Sequence, residues 1–80
     1  MRLPRDLSGT ELVKRLERLG YTVSRQTGSH IRLSCSALGQ HHVTVPAHDP
    51  LRIGTLASVL DVVGRHHALS RKALLQRLFD

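Results

Sequence analysis

Apolar residues recur at helical spacing through Leu12, Val13, Leu16 and Leu19, with Lys14, Arg15, Glu17 and Arg18 on the other side. This pattern predicts an amphipathic first helix. Ser8-Gly9-Thr10-Glu11 reads as its capping box, the Ser8 hydroxyl serving one free amide and the Glu11 carboxylate returning to the cap amide, and Gly20 ends it. The period then changes to two. Tyr21 to Arg25 reads as a half-buried strand, and Gln26-Thr27-Gly28 supplies a turn whose glycine can take positive φ. Gly28-Ser29-His30 closes that turn and opens the strand Ile31 to Cys35. Ser36 to Gln40, with Gly39, is a hairpin-length connection. His42-Val43-Thr44-Val45 then resumes alternation until Pro46 stops it.

Beyond a loop from Ala47 to Ile53, a second helix begins at Gly54-Thr55-Leu56, buries Leu56, Val59, Leu60 and Val63, and ends at Gly64. Arg65 to Leu69 is a short link. Ser70 is the N-cap of a last helix whose apolar stripe is Ala73, Leu74, Leu75, Leu78 and Phe79. The order α-β-β-β-α-α predicts one α+β domain over residues 1–80, a three-stranded antiparallel meander with helices on one face.

Strand alternation sends Ile31, Leu33 and Cys35 inward and His30, Arg32 and Ser34 outward. The outer face is then Thr22, Ser24, His30, Arg32, Ser34, His42 and Thr44, with no large apolar residue among them. Such a face is either solvated or a binding surface.

Composition narrows the partner. The 80 residues carry 12 Lys plus Arg against 6 Asp plus Glu, a net charge of +6 spread along the chain, which favours a polyanion such as nucleic acid over other partners. Tyr21 and Phe79 are the only Tyr, Phe or Trp residues, too few for a sheet that stacks unpaired bases. The single Cys35 offers no disulfide framework, and neither a leader nor a long apolar run is read, which points to the cytoplasm. No Cys or His pair has structural-zinc spacing, so neither metal nor cofactor is expected. Gly-rich phosphate loops, Ser-His-Asp signatures and helix-borne carboxylate pairs are also lacking, which leaves nucleotide hydrolysis, acyl transfer and glycosidase chemistry without support.

His30 is the candidate chemical group, because an outward imidazole beside arginines can move a proton at a phosphodiester. Its alternative is a solvated strand residue. Arg32, two positions on along the same face, and Arg25, facing it across the turn, are candidate phosphate ligands. Each could equally be an ordinary surface charge. Ser29 could donate from the turn, although turn formation alone explains it. His41 and His42 point to opposite faces and make a poor chelating pair, and His66-His67 sit near a helix end, where imidazolium suits the dipole.

Four ordered blocks resemble the HicA toxins of toxin–antitoxin pairs. They are Gly20-Tyr21 after an amphipathic helix, Arg25-Gln26-x-Gly28-Ser29-His30, Val43-Thr44-Val45-Pro46-x-His48, and Gly54-Thr55-Leu56 before an apolar helix. The resemblance spans about Leu7 to Phe79. It implies a fold like that of double-stranded-RNA-binding domains and a ribosome-independent mRNA interferase, an endoribonuclease that arrests growth by cutting mRNA. It also implies that His30 is catalytic, that His48 positions a loop or touches RNA, and that a HicB-type antitoxin binds the toxin and covers His30. DNA contact would then come only through that antitoxin. The chain departs from the family's pattern at Ser34 to Gln40, where a neutral stretch replaces a basic Asp-Gly-type hairpin. A different class of function, a non-catalytic double-stranded-RNA-binding module, would use the Ser70-Arg71-Lys72 helix start instead. A purely protein-docking domain is the third alternative.

Overall fold

The computed structural model describes residues 3–79. Helix α1 (Gly9–Leu16) runs into a 3-10 turn (Glu17–Leu19), strands β1 (Thr22–Thr27), β2 (His30–Cys35) and β3 (His41–Pro46) follow, and α2 (Ile53–His67) and α3 (Arg71–Phe79) complete the chain. The strands form one antiparallel sheet in the order β1-β2-β3. The expected α+β architecture is therefore present.

Local signals account for most element boundaries. The Glu11 amide donates to Ser8 Oγ at 3.1 Å, and the Ala73 amide donates to Ser70 Oγ at 3.1 Å, each supplying a partner to an otherwise unpaired first-turn donor. Gly20 closes the first helical segment in the left-handed region, φ 91°, where a side chain would be strained. Only Gly28 and Ser29 lie between β1 and β2, and Gly28 takes φ 58°, as the first central residue of a type II′ hairpin requires.

The core lies between the inner face of the sheet and the helices. Ile31, Leu33, Cys35, Val43 and Val45 pack with Leu12 and Leu16 of α1, Leu56, Leu60 and Val63 of α2, and Leu74 and Leu78 of α3. One close approach fixes the layers. The Gly9 amide donates to the His48 carbonyl at 2.9 Å, and a Cβ at Gly9 would sit 1.9 Å from the Pro46 carbonyl oxygen. The α1 N-terminus is thereby seated on the end of β3, opposite the start of β2.

Three expectations are corrected. First, all six residues of β1 are exposed, Val23 included, so this strand is not half-buried. The helices pack on β3, at the far side of the sheet, and β1 overhangs them. Secondly, Gln26 and Thr27 belong to β1 rather than to the turn. Thirdly, α2 continues through Gly64 to His67 and ends where Ala68 adopts φ 56°. At Gly64 the absence of a side chain admits the Leu69 carbonyl, 3.1 Å from a notional Cβ, and the Leu69 amide donates to the Gly64 carbonyl at 2.9 Å. This glycine serves the close turn into α3, not helix termination.

The extra turn of α2 carries His66 and His67 to the far end of the sheet. His41 stacks on His66 at 4.0 Å between ring centroids, Tyr21 Oη and His67 Nε2 share a hydrogen bond of 3.1 Å, and His66 Nε2 donates to the Ala37 carbonyl at 2.8 Å. Burial, followed by the charges of His66, His67 and His42, holds the His41 pKa below its ordinary value. Burial, then His66 and Arg77, does the same to His67. Burial and then Cys35 push the Tyr21 phenol up to about 12, which keeps it neutral.

Two outcomes test this account. Gly9→Ala must displace backbone, not a flexible side chain, and is expected to lower stability in chemical denaturation by about 1–3 kcal/mol. Lowered folded-state pKa values mean that His41 and His67 bind protons more readily when unfolded. Their contribution is therefore complete above about pH 6.5 and lost as pH falls through the depressed folded values. Melting temperatures of the wild type should fall more steeply below that pH than those of a His41→Gln, His67→Gln double variant, and parallel curves would remove the cluster as the cause.

Candidate active site

Strand β2 alternates as its sequence requires, with His30 and Arg32 exposed and Ile31, Leu33 and Cys35 buried. His30 is the first residue of the strand, paired with Thr27 of β1 on one side and Pro46 of β3 on the other. Its imidazole makes no hydrogen bond among the described residues, which leaves it open to a ligand. The Ala47 amide donates to the Ser29 carbonyl at 2.6 Å, so the turn before His30 is tied to the chain leaving β3.

Arg25 reaches the site through an irregularity. The register shifts between Val23 and Arg25, leaving Ser24 as the additional residue of a β-bulge. Val23 stays opposite Leu33, on the inner side, while Arg25 comes opposite Arg32 on the outer side. Unbroken alternation would have put Arg25 on the same face as Val23. Ser24 Oγ donates to the Arg32 carbonyl at 3.2 Å and so braces the bulge.

Arg25, Thr27, His30, Arg32 and Thr44 together line a shallow depression of about 220 Å³. Two guanidinium groups are thus direct cross-strand neighbours, and no carboxylate occurs in any of the strands. Neither arginine has an ion-pair partner among the described residues. Like charges directly opposite one another destabilise a sheet, and an anion between them would remove that cost. His30 lies two positions from Arg32, about 7 Å along the strand, so an imidazole and a guanidinium on one face can reach toward the same anion.

The structure thus brings His30, Arg25 and Arg32 together and adds Thr27 and Thr44 to them. Thr44 was already legible as an outer-face residue. Thr27 follows from the two-residue turn, which makes it the cross-strand partner of His30. Ser29 lies exposed beside the depression, with its carbonyl engaged by Ala47. His48 is exposed on the loop after Pro46 and does not line the depression; its carbonyl holds α1 through Gly9. Away from this site, no three His, Cys, Asp or Glu side chains among the described residues are placed to hold a metal ion, the His41-His66-His67 cluster included.

Comparison with known proteins adds one finding. A sequence model of the family described as the HicA toxin of bacterial toxin–antitoxin pairs matches residues 9–65, well over half of the chain. No curated protein and no solved structure gives a significant match.

Exposed, opposed arginines contribute nothing to packing. Arg25→Thr is expected to leave the denaturation midpoint unchanged or slightly raised, within about 0.5 kcal/mol, and to weaken the binding of inorganic phosphate followed by chemical shift at His30. A clear loss of stability would show that Arg25 has a structural partner instead.

Proposed function

The chain belongs to the HicA toxin family of bacterial toxin–antitoxin systems, and from that membership we propose that it is an endoribonuclease whose reacting group is His30. Membership makes it the toxin of such a pair and implies a HicB-type antitoxin as its partner. The observation that carries the chemical reading is the grouping of an unbonded, exposed imidazole with two opposed guanidinium groups in one depression.

In this reading His30 takes the proton from a ribose 2′-hydroxyl, and the oxygen so released attacks the adjacent phosphorus. Arg25 and Arg32 hold the non-bridging oxygens and stabilise the charge that gathers on them in the transition state. The bond from phosphorus to the 5′-oxygen breaks, giving a 2′,3′-cyclic phosphate on one fragment and a 5′-hydroxyl on the other. Water or the protonated His30 supplies the leaving oxygen with its proton. Thr27 and Thr44 border the scissile linkage with hydroxyl groups. Ser29 donates from the turn, and His48 meets the RNA farther along the strand. The scheme calls on no metal, its substrate is mRNA, and it operates in the cytoplasm. With one imidazole in the site, turnover is modest.

At the start of α3, which the binding-module reading would use, Arg71 is engaged by Asp61 in a partly exposed ion pair of 2.5 Å while Lys72 is exposed.

The decisive experiment incubates purified protein with single-stranded RNA in EDTA. The wild type should yield fragments ending in cyclic phosphate. His30→Ala should cut at least about 100-fold more slowly, with an unchanged melting temperature and nearly unchanged RNA affinity, since an exposed side chain contributes little to stability. Cleavage by the variant at the parental rate would remove His30 from the chemistry. Intact RNA bound with a steep salt dependence would make the protein a binding module.

A further inference from the structure

The sheet has two outer strands, and they differ. The bulge at Ser24 interrupts β1, which spoils its outer edge as a template for another strand. Strand β3 pairs with β2 through an unbroken register from His41 to Pro46. The Ala47 amide bonds the Ser29 carbonyl, and backbone direction alternates along an antiparallel strand. Val45, Val43 and His41 therefore face β2, while the amides and carbonyls of His42 and Thr44 face away from the sheet; the edge ends at the Pro46 carbonyl, where Gly9 of α1 is seated. No other backbone group among the described residues hydrogen-bonds to those of His42 and Thr44.

Beside this edge runs a groove of about 270 Å³ lined by His42, Val43, Thr44, Ser58, Val59 and Val62. Val62 of α2 is 42% exposed there. Thr44 also lines the depression that contains His30, so the groove and the site are continuous across one residue.

We infer that the free edge of β3 receives an extended segment of the antitoxin as a fourth strand, with apolar side chains in the α2 groove and acidic side chains on the sheet's outer face. The inference rests on the antitoxin partnership, not on the chemistry at His30. Alternating amides and carbonyls are matched by a peptide strand and not by a nucleic acid, and the apolar groove suits every second side chain of such a strand. The other side chains would lie on the face that carries Arg25, His30, Arg32 and His42 and lacks carboxylates. A residue opposite Thr44 would stand two strand spacings from Arg32, about 10 Å, close enough for a glutamate and an arginine to meet. A second copy of this chain would add +6 to +6, so charge favours an acidic partner over self-pairing.

The test uses the complex obtained by co-expressing the chain with its HicB-type antitoxin. Hydrogen exchange at the His42 and Thr44 amides should slow at least tenfold relative to the free chain. Val62→Asp puts a charge in the groove, and Thr44→Pro removes an outward amide that a central strand would need but an edge strand can lack. Each should weaken the complex about tenfold, and Val62→Asp should still cleave RNA as the wild type does. If Thr44→Pro does not fold, the exchange data and Val62→Asp decide alone.

A complex that forms with both amides exchanging as in the free chain overturns the inference and leaves the partnership standing. Failure of the two wild-type proteins to associate overturns both. Slowed exchange in a dimer of the free chain, or on addition of single-stranded RNA alone, assigns the edge elsewhere and also overturns it. Protected amides in a complex whose released toxin cuts no RNA support the edge and strike only the nuclease reading.

Discussion

The register of β2 is the constraint on which the rest depends. Its inner residues Ile31, Leu33 and Cys35 are 5%, 0% and 2% exposed, and a slip of one position would drive His30 and Arg32 into the helices while turning those three to water. Burial of the apolar set therefore fixes the outward direction of the polar set. The Gly28 turn, the Ala47-to-Ser29 bond and the seat of Gly9 on Pro46 hold the start of this strand from three sides. His30 is mounted at a corner of the sheet anchored by these contacts, although its own side chain is free.

On that rigid frame the depression is assembled by a departure from regularity. The Ser24 bulge turns Arg25 to the outer face and sets it opposite Arg32, an arrangement of like charges that repel one another. The same bulge disqualifies β1 as a docking edge and leaves β3, whose regular ladder ends at the candidate site. One irregularity thus bears on both the proposed anion site and the proposed partner edge.

The histidines show how position rather than residue type decides a role. His30 has open water in front of it, His42 shares a 2.8 Å hydrogen bond with Ser34, and His41, His66 and His67 clasp the far end of the sheet around Tyr21. The first is open to a ligand, and the last three hold the far end of the sheet together. Strand β2 separates these groups by its whole length.

Alternation through Ile31 to Cys35, the caps at Ser8 and Ser70 and the two-residue glycine turn are local patterns, and by themselves they determined the element order, the outward His30 and the blocks that place the chain in its family. The bulge left only one local mark, a charged Arg25 in the inward phase of the Tyr21-Thr22-Val23-Ser24 alternation, and that mark does not say where the extra residue falls. Arg25 was named as a candidate from its nearness to the turn, but only strand pairing put it beside Arg32. Gly64 looked like a helix end because glycine so often is one, whereas the packing of the α2–α3 turn against its bare Cα carried the helix on. The exposure of β1 followed from which strands the helices cover. Local spacing fixes conformation one residue at a time, while register shifts, close approaches and coverage depend on surfaces that meet only once the chain has folded.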